Sequence, residues 1–106
     1  MTVSSYSQVT IHTHPDDKTA HSAVVEKGGI LEIFNDDHDF PDFEVEFRNS
    51  APPSPNDSLT GTVDKPIVLN MPHELKEFHY YILYKHRDGK CIRGLLLYAR
   101  TCGPCP

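Results

Sequence analysis

The chain contains no tryptophan, two methionines and three cysteines in 106 residues. Without tryptophan there is no buried indole of the kind that marks an immunoglobulin core, and an odd cysteine count does not complete a disulfide framework. No run of strongly apolar residues is longer than Leu95-Leu96-Leu97, whereas a bilayer-spanning helix needs about 20. Basic residues are few and scattered: ten Lys and Arg stand against fifteen Asp and Glu, a net charge of −5. That balance repels phosphate backbones and anionic lipid surfaces, so nucleic acid and membrane are excluded as expected partners. The segment Met1-Thr2-Val3-Ser4-Ser5-Tyr6-Ser7 has neither a basic start nor an apolar stretch. No secretory signal is expected on this reading, and the expectation is a cytoplasmic protein with reduced thiols.

What is abundant is turn chemistry. Nine prolines and six glycines break the chain into short segments and disfavour a helical bundle. Period-two or short apolar stretches mark strands at Tyr6 to Thr13, Ala23 to Val25, Ile30 to Phe34, Phe43 to Arg48 and Pro66 to Leu69. Phe43-Glu44-Val45-Glu46-Phe47-Arg48 is the cleanest alternation, with one apolar and one charged face. Residues 49–61 hold three prolines and read as an ordered crossover loop. Met71 to Glu77 could make one or two helical turns. Asp88-Gly89 between the apolar runs Phe78 to Arg87 and Lys90 to Ala99 predicts a hairpin. With a two-residue loop, His86 opposes Cys91, Ile82 opposes Leu95, Tyr80 opposes Leu97 and Phe78 opposes Ala99.

About seven strands at short spacing predict an all-β fold: a single antiparallel Greek-key β-sandwich. A mass of 12.0 kDa suits one domain, read as residues 1–100 with a flexible C-terminal tail at 101–106. The expected core is Val9, Ile11, Val25, Ile30, Leu31, Ile33, Phe43, Val45, Phe47, Val68, Tyr80, Ile82, Leu95 and Leu97.

Two segments resemble the cupredoxins, the plastocyanin-type family. Ile33-Phe34-Asn35-Asp36-Asp37-His38-Asp39-Phe40-Pro41-Asp42-Phe43-Glu44-Val45 is similar to that family's strand, Asn-rich loop, Phe-Pro-His, strand signature. Phe78-His79-Tyr80-Tyr81-Ile82-Leu83-Tyr84-Lys85-His86, continuing through Asp88-Gly89-Lys90-Cys91-Ile92-Arg93-Gly94-Leu95, resembles its C-terminal ligand hairpin. The resemblance implies a cupredoxin-like fold over roughly residues 6–99. It does not carry the copper ligands. The first ligand histidine falls on Asp42, the thiolate on Ile82, the second histidine on Lys85 or His86, and the axial methionine on Ile92 or Cys91. A blue-copper centre needs a copper–thiolate bond, and Ile82 has no lone pair to offer. The family fold is thus expected without its electron transfer.

Other residues invite chemistry. Asp42, His86 and Cys91 are expected at one end of the sandwich, where a carboxylate, an imidazole and a thiol would suit Zn or non-blue Cu. Cys102-Gly103-Pro104-Cys105 spells a thiol-redox tetrapeptide, but no helix can follow it within this sequence to activate the first thiol. Cys102 and Cys105 are therefore read first as part of a disordered tail, the alternative being that they oxidise or hold a soft metal. His12-x-His14 sets two imidazoles on one strand face at a spacing that suits a metal, and is read as a surface pair. Asp36, Asp37 and Asp39 are read as a solvated acidic loop, lacking the six to eight oxygens of a calcium site. No Gly-x-Ser-x-Gly, glycine-rich phosphate loop or His-Glu-x-x-His segment occurs, so the reading favours a non-catalytic binding or interaction module with no cofactor over an enzyme. The alternative is a metal-binding or thiol-redox protein. The second hairpin face, Tyr81, Leu83, Ile92, Leu96 and Tyr98, is expected to be an interface to a protein partner, most simply a homodimer. Added Cu²⁺ is expected to produce no intense blue absorption. Appearance of that band, and its loss in Cys91→Ser, would make Cys91 the thiolate and shift the alignment.

Overall fold

The computed structural model describes residues 7–16, 21–48, 53 and 59–103. Among them there is no helix, so none is long and apolar enough to cross a membrane. Nine strands follow one another: β1 (Gln8–Thr13), β2 (Ser22–Glu26), β3 (Ile30–Asn35), β4 (Asp42–Phe47), β5 (Thr60–Thr62), β6 (Ile67–Asn70), β7 (Glu77–Lys85), β8 (Cys91–Arg93) and β9 (Leu97–Cys102). Alternation sets each face: Leu31 and Ile33 of β3, Phe43 and Val45 of β4, and Phe78, Tyr80, Ile82 and Tyr84 of β7 are buried at every second position.

The strands form two mixed sheets. The smaller has the order β1-β3-β6; the larger has β2-β9-β7-β4-β5, with β8 also paired to β7. The expected all-antiparallel arrangement is not what forms: β1 runs parallel to β3, and β2 parallel to β9. The expected seven strands are nine because β5 emerges at the end of the proline-rich stretch and because the return arm of the hairpin is two strands, β8 and β9. Residues 71–76 join β6 to β7 without a helical turn. The start of the first strand at Tyr6 and residues 49–52 and 54–58 lie outside the described residues.

Buried side chains of both sheets meet in one hydrophobic cluster: Leu31, Ile33, Ile67 and Leu69 from the smaller, and Val25, Phe43, Phe78, Tyr80, Ile82 and Leu97 among those from the larger. The phase of β6 differs from expectation. Ile67 and Leu69 face inward and Val68 is half-buried. Ile30 and Leu95 are surface residues, whereas Tyr84, Phe78 and Met71 belong to the core. β9 runs two residues past the expected domain end, and Thr101 is buried.

The hairpin register also differs near its turn. Lys85 pairs with Cys91, and Tyr84 with Ile92. His86 N–H donates to the Lys90 carbonyl at 2.7 Å, and Gly89 N–H to the His86 carbonyl at 2.8 Å. The loop is therefore three residues, Arg87-Asp88-Gly89, with Gly89 at φ 96°. This is the type I turn plus left-handed residue that three-residue hairpins use. Further along, Tyr80 pairs with Leu97 and Phe78 with Ala99, as a two-residue loop would place them. The extra residue is absorbed at 94–96, where the return arm bulges.

Tyr80 is wholly buried, beside the ring of Phe47 at 5.8 Å. Its hydroxyl has no hydrogen-bond partner among the described residues. Burial, with a smaller contribution from Tyr84, raises its pKa far above the ordinary tyrosine value. An unfolded tyrosine ionises near pH 10. Because the folded pKa is the higher one, stability is intact below about pH 10 and is lost as the pH rises beyond it. Tyr80→Phe removes an unsatisfied buried group and is expected to add about 1 kcal/mol at neutral pH and to flatten the alkaline loss. Urea melts at neutral and alkaline pH measure both; a destabilised Tyr80→Phe would mean that the hydroxyl is bonded.

Candidate functional site

The last pair of the parallel β1–β3 ladder is Thr13 with Asn35. Both are buried polar residues, and both close the ladder with side-chain bonds. Thr13 Oγ1 donates to the Phe34 carbonyl at 2.8 Å. Asn35 Nδ2 donates to the Phe40 carbonyl at 2.6 Å, and Asn35 Oδ1 accepts from Asp37 N–H at 3.1 Å. Asp37 Oδ1 in turn accepts from Asp39 N–H at 2.9 Å. The loop between β3 and β4 is thus a succession of Asx turns, the local conformation that Asn and Asp favour two residues ahead of an amide. Arg87 ties it to the β7–β8 turn: its guanidinium donates to Asp39 Oδ1 at 2.7 Å and to the His38 carbonyl at 3.2 Å. Phe40 fills the space beneath, edge-on to Tyr84 and His86 with ring centroids 6.3 and 4.9 Å away.

This end of the fold carries several histidine–aspartate pairs. His12 Nδ1 lies 3.1 Å from Asp36 Oδ2, with its ring stacked on Phe34. His86 Nδ1 lies 2.9 Å from Asp88 Oδ1. The Lys90 N–H bond, together with His86, holds the Asp88 carboxyl below its ordinary pKa. His14 stands between two carboxylates: Nε2 is 3.4 Å from Asp37 Oδ2, and Nδ1 is 3.8 Å from Asp16 Oδ2. Asp16 N–H also donates to His14 Nδ1 at 3.2 Å. His14 and His21 border one small niche, floored by Ile82 and Tyr84 and rimmed by Gly94 and Leu95.

The three residues expected to share a metal are placed differently. Asp42 and Cys91 flank Lys85 from its two neighbouring strands. His86, one residue further along, has its ring against Phe40 on the Tyr84 side. The three-residue turn produces this separation, because it pairs Cys91 with Lys85 rather than with His86. Cys91 is an exposed free thiol. Cys102 is buried and disulfide-bonded rather than a reduced thiol, and Cys105 lies outside the described residues.

The five expected interface residues do not share one face. Tyr81 pairs with Glu46 and lies under the Arg93 guanidinium at 4.8 Å, and Arg93 also reaches Glu46 at 3.9 Å. Tyr98 packs on His79 with ring centroids 5.0 Å apart and donates its hydroxyl to Glu77 at 3.0 Å. Tyr81, Leu83 and Tyr98 are half-buried. Ile92, paired with Tyr84, belongs to the opposite face, and Leu96 lies in the bulge. Sequence reasoning missed Asn35, Phe40 and Arg87. The repeat Asn35-x-Asp37-x-Asp39 was a readable signal for the Asx turns, but nothing local pointed to Arg87.

No family model, curated protein or solved structure matches the chain. Asn35→Ala would leave the Phe40 carbonyl and the Asp37 amide without their partner. A loss of about 1–3 kcal/mol is expected, with faster hydrogen exchange at Asp37 and Asp39. Unchanged exchange at both amides would show that backbone packing alone holds the loop.

Proposed function

We propose that the chain is a non-catalytic interaction module, built on a cupredoxin-like β-sandwich without blue-copper electron transfer, that docks a second copy of itself through the loop end of the fold. The observation that carries this reading is the exposure of Ile92 (41%) and Leu95 (42%). They are two of only four large hydrophobic side chains exposed among the described residues. Leu95 rims the niche bordered by His14 and His21, and Ile92 is the strand partner of Tyr84 in its floor. Exposed apolar residues beside fixed polar groups form the pattern of a contact core with a polar rim. Loops fixed on a rigid scaffold are where recognition residues concentrate. Two facing sheets around a single core, with β7 central in the larger, support the cupredoxin-like reading. The resemblance itself rests on the two motif segments.

The aromatic face of Tyr81 and Tyr98 is the less favoured docking surface, since Arg93, Glu46, His79 and Glu77 already cover those rings. A two-fold contact is the commonest way for identical chains to bury such a patch. Light scattering at micromolar concentration is expected to give about twice the chain mass of 12.0 kDa. Leu95→Glu is expected to give monomer by placing an unpaired charge in the contact, and Tyr81→Glu to leave the dimer intact. A wild-type mass near 12.0 kDa, or monomer from Tyr81→Glu alone, overturns the assignment.

A further inference from the structure

We propose that His14, Asp16 and Asp37 form a binding site for a divalent first-row transition-metal ion of the zinc class. One donor atom from each lies within 4.8 Å of the other two, and they are the one such trio among the described residues. The other histidine–aspartate pairs, His12–Asp36 and His86–Asp88, bring no third donor among the described residues.

The spacing fits the ion. Zinc bonds nitrogen and oxygen at about 2.0–2.2 Å in a tetrahedron, which sets neighbouring ligand atoms about 3.3–3.6 Å apart. His14 Nε2 and Asp37 Oδ2 are already 3.4 Å apart. Neither side chain is loose: His14 is half-buried, and the Asp37 side chain is 17% exposed. Asp39 N–H occupies Asp37 Oδ1, which leaves Oδ2 as the oxygen facing the imidazole. Asp16 is the solvent-facing donor, its side chain exposed at 86% with Oδ2 3.8 Å from His14 Nδ1, and its carboxylate has to turn toward the Nε2 side to complete the donor set. The fourth position is left to water, beside the niche that His21 also borders. One imidazole with two carboxylates favours zinc-class ions over calcium, which takes six to eight oxygens.

His14 Nδ1 accepts from Asp16 N–H, so in the neutral ring Nε2 carries the proton, on the side of Asp37. An ion on Nε2 displaces that proton to solvent and Nδ1 takes one back, so the ring stays neutral with its proton moved from Nε2 to Nδ1 and no net exchange with solvent; the Asp16 amide turns to solvent. The competing account is that these contacts are a closed hydrogen-bonded triplet with no ion.

Titration calorimetry with zinc chloride, on the full chain without reductant, distinguishes the two. One equivalent per chain is expected, retained in Cys91→Ser, which removes the free thiol. His14→Ala is expected to abolish binding, and Asp16→Asn, at an exposed position that should not disturb folding, to weaken it at least tenfold. His12→Ala should change nothing, and NMR of the imidazole carbons should shift His14 alone. Absence of binding tighter than millimolar, binding that survives His14→Ala, or binding lost with Cys91→Ser overturns the site.

Discussion

The alternation along β7 is the constraint that the rest of the larger sheet obeys. Phe78, Tyr80, Ile82 and Tyr84 are all buried, and β4, β8 and β9 take their registers from that strand. Because side chains alternate with period two, a slip of one residue by a neighbour would turn its whole apolar set outward. The three-residue turn at Arg87-Asp88-Gly89 imposes such a slip at the start of the return arm, and the bulge at 94–96 cancels it. Six residues of β7, from Lys85 to Tyr80, face seven on the other arm, from Cys91 to Leu97. Only after the bulge do Leu97 and Ala99 return to the core. Exposure of Leu95 follows directly, because a bulged residue has no place in the pleat.

The loop end depends on a different kind of interaction. It is held by polar side-chain bonds: those of Asn35 are part-buried, where leaving one unmade would cost more than the bond contributes, and those of Asp37, Asp39 and Arg87 lie at the surface. Asn35 is buried because it replaces backbone partners that the end of the β1–β3 ladder no longer supplies. Arg87, on an exposed turn, adds a charge-assisted bond to Asp39, and this joins a turn of the larger sheet to the loop leaving the smaller one. The Asp39 amide on Asp37 Oδ1 orients that carboxylate, which is what a ligand site on a loop requires.

Where a strand's identity follows from its own alternation, the sequence was legible. Phe43-Glu44-Val45-Glu46-Phe47 forms β4 with Phe43 and Val45 buried, as its pattern demands. The far half of the hairpin pairs as expected because the two register errors cancel. Legibility failed where the deciding information was not local. Ile67-Val68-Leu69 is apolar throughout, so its phase is set by what it packs against rather than by its own pattern. Asp88-Gly89 suits two turn lengths, and the choice between them separated His86 from Cys91. The split of the return arm could not be read either, since Leu95-Leu96-Leu97 looks like unbroken strand.

The histidine–carboxylate trio was hidden for a topological reason. His12, His14, Asp36 and Asp37 were each visible as residue types, but as direct neighbours in an all-antiparallel sheet β1 and β3 would point in opposite directions. Their departing residues would then sit at opposite ends of six-residue strands, about 20 Å apart at the usual rise per residue. Parallel pairing reverses that expectation. It aligns the two C-terminal ends, so Thr13 meets Asn35 and the next residues out of each strand emerge side by side. A parallel pair needs a crossover, and here β2 makes it by passing into the larger sheet beside β9 before the chain returns as β3. The placement of β2 in the opposite sheet is thus the step that brings His14 to Asp37, and no local pattern around either residue encodes it.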